Sequence, residues 1–290
     1  MRRILVIGAR GMLGRDLVER LHSSYGTGFG AEWEILAWDL DEIDIQKEQE
    51  TRTRIEDVHP EIVINLAAYT NVDGCETQVE KAYGINGEGM KYVALGAAKC
   101  RARVVYLSTD YVFDGRKKEP YLETDSPEPL NVYGHSKLMG ERHLQALTEK
   151  GLIVRTQWLY GKYGNNFISA ILRHARERGE VSIVNDQTGS PTYTRDLASA
   201  LCLLIQRGAQ GIFHVSNSGE CTWYAFGQMV LDLCGLHSVK VKPISSQELG
   251  RPALRPSYSV LGCQKLRQEM GISLRPWSEA VKEYLGAVEG

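Results

Sequence analysis

The first 156 residues alternate short apolar runs with longer amphipathic stretches, and this alternation constrains the fold more than any other feature of the chain. It is typical of repeated βαβ units, in which helices cover both faces of a parallel sheet. The sequence therefore predicts an α/β fold, a Rossmann-type doubly wound parallel sheet. Strands are expected at residues 4–7, 34–38, 62–65, 104–107 and 152–155, and helices at residues 12–22, 47–58, 79–99 and 132–147.

The alternation weakens after residue 157. Residues 183–192 are polar and rich in turn-forming residues, which predicts a loop. A helix at 195–207 and a strand at 212–215 are expected to return the chain to the sheet. The glycine-rich residues 23–30 are expected to form a flexible insertion before the second strand.

This pattern predicts two unequal parts of the protein. Residues 1–157 and 193–217 are expected to form a dinucleotide-binding Rossmann domain. Residues 158–192 and 218–290 are expected to form a smaller, discontinuous C-terminal substrate-binding lobe.

Composition and charge exclude several classes of protein. The 34 Lys and Arg residues nearly balance the 36 Asp and Glu residues, so no overall field would gather nucleic acid or hold the chain on an anionic membrane. No run approaches the ~18 uncharged apolar residues that a membrane-spanning helix requires, and Arg10 interrupts the first apolar stretch, so no signal peptide is expected.

The six cysteines include no Cys-x-x-Cys pair, which predicts reduced thiols and a cytoplasmic location. No His-Glu-x-x-His and no Cys/His cluster occurs, so no metal site is predicted.

A glycine-rich turn follows the first expected strand and opens the first expected helix. Gly8 suits a tight turn, Gly11 lets backbone amides approach a pyrophosphate, and Gly14 lets helix and strand pack closely. The helix N-terminus would then face the anion. An ordinary strand-to-helix turn is the alternative, and the position of the glycines at the start of a βαβ chain favours dinucleotide binding.

Asp39 ends the second expected strand, where a carboxylate can accept hydrogen bonds from an adenosine ribose. The alternative is a helix-capping or solvated aspartate. Asp39 favours a cofactor with a free 2′-hydroxyl, whereas Arg10 could neutralise a 2′-phosphate, so the choice between NADH and NADPH stays open.

Three polar side chains predict proton-transfer chemistry. Tyr133 and Lys137 are four residues apart, hence on one face of a helix, and a nearby ammonium would lower the pKa of the phenol. Thr109 follows the fourth expected strand, where its hydroxyl could hydrogen-bond a carbonyl oxygen that Tyr133 protonates. The alternatives are an exposed Tyr/Lys pair and a capping threonine.

These motifs together resemble the extended short-chain dehydrogenase/reductase superfamily and, within it, the dTDP-4-dehydrorhamnose reductase family. The resemblance runs nearly end to end. Besides the glycine turn and the Tyr133/Lys137 pair, it rests on residues 65–73, 108–115, 155–161 and 186–194.

The resemblance implies roles for individual residues. The cofactor-binding set would be Gly8, Arg10, Gly11, Met12, Leu13, Gly14, Asp39, Asp44, Ile45, Ala67, Ala68, Tyr69, Tyr133 and Lys137. The catalytic set would be Thr109, Tyr133 and Lys137. The substrate set would be Thr109, Asp110, Trp158 and Arg255, in which Trp158 offers a flat face to a sugar or base and Arg255 pairs with the substrate diphosphate. Core packing is the alternative for Trp158, and Arg251 competes with Arg255.

The resemblance also implies an activity. A reduced nicotinamide cofactor, NADPH or also NADH, would reduce the C4 ketone of dTDP-4-dehydro-L-rhamnose to dTDP-L-rhamnose, a precursor of surface polysaccharide. A homodimer and Mg²⁺ are further features of that family, but no complete carboxylate cluster maps onto this sequence. Two alternatives stay open. One is a sugar-nucleotide epimerase or dehydratase on the same scaffold, and the other is a non-catalytic subunit resembling the β subunit of methionine adenosyltransferase.

Overall fold

A computed structural model describes residues 1–23, 29 and 32–289. The insertion expected at residues 23–30 therefore lies mostly outside the described residues. The strands are β1 (Arg2–Ile7), β2 (Trp33–Trp38), β3 (Ile62–Asn65), β4 (Arg103–Thr109), β5 (Leu152–Thr156), β6 (Leu159–Tyr160), β7 (Glu180–Val184), β8 (Thr188–Gly189), β9 (Thr192–Tyr193), β10 (Gly211–His214), β11 (Cys221–Thr222) and β12 (Lys240–Ile244).

Helices connect these strands. They are α1 (Met12–His22), α2 (Glu48–Val58), α3 (Val72–Thr77), α4 (Val79–Tyr83), α5 (Gly89–Lys99), α6 (Val132–Leu147), α7 (Phe167–Arg178), α8 (Thr194–Gln206), α9 (Trp223–Leu233), α10 (Ser246–Leu249), α11 (Gln264–Met270) and α12 (Trp277–Glu289). A π-helical turn spans Gly84–Glu88 and a 3-10 turn spans Asp110–Val112.

Six parallel strands form the central sheet in the order β2-β1-β3-β4-β5-β10. From β1 the chain first places β2 on one side, and it then places β3, β4 and β5 on the other side of β1. In open parallel sheets, ligands bind outside the carboxyl ends of the strands at such a switch point. The topology therefore places a ligand crevice beside the glycine turn that follows β1.

Alternate residues of β1 face opposite layers of helices, as the two-residue period of a strand requires. Ile4 and Val6 pack in one core cluster together with residues of α1 and α8. Leu5 and Ile7 pack in a second cluster with residues of α2 and α5. Both faces of the sheet are thus covered, which confirms the predicted Rossmann-type doubly wound fold.

A third hydrophobic cluster lies apart from the sheet and joins α7, β7, α9 and α12. Ile171, Ile183, Phe226 and Val230 are among its buried residues. These elements fall in the predicted substrate-binding lobe, whose limits stay a prediction.

The structure differs from the expectations at two places. The single helix expected at residues 79–99 is divided by the π-helical turn into α4 and α5. The loop expected at residues 183–192 begins inside β7, because that strand pairs in parallel with β12, whose residues lie about sixty positions later in the chain. Because β7 and β12 are so distant in sequence, no local residue pattern predicts that they pair.

Within the described residues, no helix is both long and apolar enough to cross a bilayer. No disulfide joins the six cysteines, all of which lie within the described residues.

Candidate active site

A cavity of about 840 Å³ opens at the carboxyl ends of β1, β3, β4 and β5. It brings together most of the residues that the sequence singled out. Those that line it are Gly8, Arg10, Gly11, Met12, Leu13, Gly14, Asp39, Asp44, Ile45, Ala67, Ala68, Thr109, Asp110, Tyr133, Lys137 and Trp158. Tyr69 and Arg255 are not among its lining residues.

The glycine turn between β1 and α1 leaves no room for a side chain at Gly8 or Gly14. Gly8 has a φ of 84°, and a Cβ there would lie 2.7 Å from the Ala67 nitrogen. A Cβ on Gly14 would lie 2.2 Å from the Gly8 oxygen. Gly11 is the N-cap of α1 and provides no side-chain cap, so the first amides of the helix stay available to an anion. This geometry fits the pyrophosphate of a dinucleotide.

Carboxylates surround the end of the cavity next to β2. Asp39 accepts hydrogen bonds from the backbone nitrogens of Arg10 and Leu40, each at 2.9 Å. The Arg10 guanidinium pairs with Asp41 and with Glu42, the latter at 2.8 Å. A ribose 2′-phosphate would therefore compete with these two carboxylates for Arg10.

Hydrogen bonds hold the loop after β3 along the cavity wall. The Asn65 side chain accepts from the Ala67 nitrogen at 3.1 Å. Asn86, in the π-helical turn, accepts from the Tyr69 nitrogen at 2.8 Å. The ring of Tyr69 lies under the Lys81 ammonium, 4.7 Å from its nitrogen. Tyr69 thus anchors the loop by its backbone, and its predicted contact with cofactor stays a prediction.

Tyr133 stands in the first turn of α6, whose N-cap Asn131 accepts from the Gly134 nitrogen at 2.8 Å. Burial raises the pKa of Tyr133 above its ordinary value, and a hydrogen bond with Thr109 only partly opposes this. The phenol is therefore protonated at neutral pH. The net pKa of Tyr133 is raised, so the expectation that the pair with Lys137 holds it below its ordinary value is wrong for this structure.

Burial also shifts the pKa of Lys137. Its side chain is 2% exposed, and burial lowers its pKa to about 7, against an opposing effect of Glu141. Its Nζ lies 4.0 Å from the centroid of the Tyr106 ring. A buried amine that is only partly charged near neutral pH is a weaker source of positive potential than the full cation that the spacing suggested.

Asp110 lies beside these groups on the 3-10 turn. Its Oδ1 accepts from the Thr109 hydroxyl at 3.0 Å. Burial raises the pKa of Asp110 to about 7, although hydrogen bonds from Ser259 and Thr109 oppose the shift. The cavity thus holds a phenol, an amine and a carboxyl group whose pKa values are all displaced by burial, as is typical of functional sites.

A buried ion pair, which the sequence did not reveal, supports the end of the cavity that holds Tyr133 and Lys137. Arg155 of β5 donates two hydrogen bonds to Glu141 of α6, from Nε at 2.9 Å and from Nη2 at 2.6 Å. The Ser108 hydroxyl donates to the same carboxylate. These bonds hold α6 against the ends of β4 and β5. The available signal was Arg155, the one charged residue in the fully buried strand β5.

Two stacked indoles line the cavity next to the third hydrophobic cluster. Trp158 and Trp223 have ring centroids 3.6 Å apart and planes 7° apart. Trp158 has a φ of 48°, a left-handed conformation that a bulky side chain rarely adopts and that clusters at functional sites. Sequence reasoning missed Trp223, although a tryptophan directly after the capping Thr222 was a signal.

Arg255 and its competitor Arg251 both pair with Asp73, each through Nη1 at 2.9 Å. Burial alone would raise the pKa of Asp73, but the hydrogen bonds from Arg255 and Arg251 lower it to about 2. The structure therefore places both arginines on a carboxylate rather than on the cavity wall. The role of Arg255 in binding a diphosphate stays a prediction.

In the part of the chain that the structure describes, no group of three His, Cys, Asp or Glu side chains is placed to hold a metal ion. Mg²⁺ is assigned to no residue.

Comparisons with known proteins give relatives over the whole chain. The family described as RmlD substrate binding domain matches residues 1–289. SpsK, a spore coat polysaccharide biosynthesis protein of Bacillus subtilis, is 40% identical over 98% of this chain and 97% of that protein. A dTDP-4-dehydrorhamnose reductase of Aggregatibacter actinomycetemcomitans is 38% identical over 97% of this chain and 98% of that protein. The crystal structure of dTDP-4-dehydrorhamnose reductase from Bacillus anthracis in complex with NADP aligns with a TM-score of 0.93 at 38% identity, covering 99% of this chain and 100% of that one.

Proposed function

The chain belongs to the RmlD substrate binding domain family, and from this membership we infer that it is an oxidoreductase of nucleotide-sugar biosynthesis. It reduces the C4 ketone of dTDP-4-dehydro-L-rhamnose to dTDP-L-rhamnose with a nicotinamide cofactor. The observation that carries this conclusion is the meeting of Thr109, Tyr133 and Lys137 in one cavity with a glycine turn that fits a pyrophosphate.

We propose that the glycine turn and the N-terminus of α1 bind the pyrophosphate, while Asp39 and Asp44 border the adenosine half. Ala67 and Ala68 would lie along the dinucleotide, and Lys137 would hold the nicotinamide ribose. When bound, the reduced nicotinamide supplies the hydride that the ketone carbon accepts.

Tyr133 would supply the proton. Reduction turns the C4 oxygen into an alkoxide, and a protonated phenol beside it can donate directly. The raised pKa of Tyr133 keeps the phenol protonated, which suits reduction. The tyrosinate that remains would be stabilised by Lys137 in its ammonium form.

The remaining side chains would orient the ketone and exclude water. The Thr109 hydroxyl donates its proton to Asp110 in the structure, so it would turn from that carboxylate to the carbonyl oxygen when the ketone is bound. The indole of Trp158 would cover one face of the deoxysugar, with Trp223 stacked behind it.

For the cofactor we propose NADPH, which the NADP complex of the Bacillus anthracis relative supports. Arg10 is the cation in position to meet a 2′-phosphate. Because Asp41 and Glu42 already neutralise it, we expect NADH to be accepted as well.

We further propose a cytoplasmic location, which suits an enzyme that uses nucleotide sugars, and a homodimer. Sedimentation of the purified chain tests whether it forms a homodimer. A single species at the monomer mass would exclude the homodimer.

The two alternative functions, a sugar-nucleotide epimerase or dehydratase and a non-catalytic subunit, are less well supported. The relatives that match over nearly the whole chain include a named dTDP-4-dehydrorhamnose reductase, which favours reduction over epimerisation or dehydration. A non-catalytic subunit would have no need for Thr109, Tyr133 and Lys137 together at the wall of a dinucleotide-sized cavity.

The direct test is to mix the protein with dTDP-4-dehydro-L-rhamnose and either NADPH or NADH, and to follow the nicotinamide absorbance. We expect stoichiometric loss of the reduced cofactor, faster with NADPH. Conversion of the sugar without net consumption of cofactor would contradict reduction and favour an epimerase or dehydratase. Absence of any conversion would favour the non-catalytic alternative.

A further inference from the structure

Gln157 follows β5 directly and lines the cavity, with 2% of its surface exposed. Its Oε1 accepts a hydrogen bond from the Ser190 nitrogen at 2.9 Å. This bond determines which end of the amide is which, because only the oxygen can accept. The other end, Nε2, is therefore a donor, and among the described residues it has no hydrogen-bond partner.

A buried donor without a partner costs free energy in the folded protein. Folded proteins satisfy nearly all such groups, and the exceptions call for a reason such as a bound ligand. Because Gln157 lies at a cavity wall, a ligand oxygen would satisfy Nε2.

The strand register identifies the neighbour of Gln157. Thr109 of β4 and Thr156 of β5 are paired across the two parallel strands, and parallel strands lie ~4.8 Å apart. Asp110 and Gln157 each come one residue later and both line the cavity, so an acidic side chain and an amide donor meet the same part of the sheet edge. A hydroxyl group, which both accepts and donates, matches such a pair.

The position favours the sugar over the adenosine half of the dinucleotide. The turn that fits the pyrophosphate follows β1, and β3 separates β1 from β4 and β5 in the sheet. Thr109, at the end of β4, and Trp158, the residue after Gln157, stand at the end of the cavity assigned to the ketosugar.

We propose that Nε2 of Gln157 donates a hydrogen bond to a hydroxyl oxygen of the hexose, while Asp110 accepts the proton of the same hydroxyl. Gln157 is then a specificity-determining residue for the sugar. This inference rests on the proposed function for the identity of the hexose.

Two variants separate this role from a structural one. Gln157→Glu replaces the amide oxygen by a carboxylate oxygen, which can still accept from the Ser190 nitrogen, and removes the Nε2 donor. Gln157→Met keeps the length of the side chain and removes both polar atoms. Gln187→Glu is the matched control, because Gln187 is also buried and its Nε2 donates to Ser246 outside the cavity.

The measurement is calorimetric binding of dTDP-L-rhamnose, of dTDP alone and of NADPH to wild type and variants. In the wild type, the hexose should strengthen binding over dTDP alone. Both Gln157 variants should lose about tenfold in affinity for dTDP-L-rhamnose, as expected for one hydrogen bond to a buried donor. Their affinities for dTDP and NADPH should stay within about twofold of the wild type, as should all affinities of Gln187→Glu.

Three results would overturn the inference. They are an equal loss for dTDP alone, a loss confined to NADPH, and unchanged binding of dTDP-L-rhamnose by both Gln157 variants. These outcomes are distinct from a failure of the proposed function, which would appear as absence of cofactor oxidation by the wild type with the ketosugar. The binding comparison needs no turnover.

Discussion

At the scale of single residues, burial sets the chemistry of this cavity. The spacing of Tyr133 and Lys137 along α6 was readable in the sequence, and so was the placement of Thr109 after a strand. Their protonation was not, because it depends on how much of each side chain the fold removes from water. Burial keeps Tyr133 protonated and lowers the pKa of Lys137 to about 7, so the two groups begin the reaction closer to neutral than the pattern suggested.

We predict that Lys137→Met removes most of the activity and yet stabilises the folded protein. The pKa of Lys137 is lowered from 10.5 to about 7 in the folded state, so between these values the unfolded chain binds more protons. This group therefore makes wild-type stability rise as the pH increases from about 7 to about 10.5. Near pH 7 the variant should be more stable by roughly 1–4 kcal/mol, and the difference should disappear near pH 10.5.

Denaturant unfolding of wild type and Lys137→Met at both pH values tests this expectation. Lys137→Arg is the matched comparison, because a guanidinium stays charged throughout this range and should not regain stability at high pH. A Met variant that is less stable than wild type at neutral pH would show that Lys137 is a structural cation.

At the scale of elements, the π-helical turn between α4 and α5 connects the walls of the cavity. Asn86 in this turn donates to the Ser136 hydroxyl of α6 at 2.9 Å and accepts from the Tyr69 nitrogen. The Tyr106 hydroxyl of β4 donates to its backbone oxygen at 2.9 Å. The sequence predicted a continuous helix here, because a π turn occurs as a single turn inside an α-helix and the chain stays helical through it.

Asn86→Ala should therefore cost stability and activity together. The substitution leaves the half-buried Tyr69 nitrogen without its acceptor, for which we expect a loss of ~1–3 kcal/mol in the free energy of unfolding. Release of Ser136, which lies between Tyr133 and Lys137 on α6, should lower kcat more than it raises KM. Gln49→Ala on the exposed face of α2 is the control and should change neither quantity measurably. Equal stability of the two variants would contradict this connecting role.

The elements also show where prediction from sequence succeeds. The helices α1 and α6 begin and end where the sequence placed them, since each follows a turn or a capping residue and carries an apolar face. The strands of the sheet agree within two residues at each end. The elements α7, α9 and α12 escaped prediction, because they are stabilised by packing in a cluster that brings together residues from 160 to 285.

At the scale of the whole molecule, the cavity joins two separately packed regions. Thr109, Tyr133 and Lys137 come from the sheet and from α6, whereas Trp223 begins α9, a helix of the third hydrophobic cluster. The meeting of the glycine turn with Asp39 and Ala67 in one cavity could be predicted from the sequence, because these residues follow consecutive strands of one βαβ series. The sugar half was predicted only in part, since Trp223 and the pairing of Arg255 with Asp73 depend on contacts between distant segments.

The central claim is that this cavity reduces a ketosugar with Tyr133 as the proton donor. The most direct measurement is the turnover of dTDP-4-dehydro-L-rhamnose by Tyr133→Phe, with Tyr92→Phe on α5 as the control and NADPH binding measured for both. We predict that Tyr133→Phe binds NADPH within about twofold of wild type but loses roughly 10²–10⁴ in kcat, whereas Tyr92→Phe turns over normally. Unimpaired turnover by Tyr133→Phe would contradict the account.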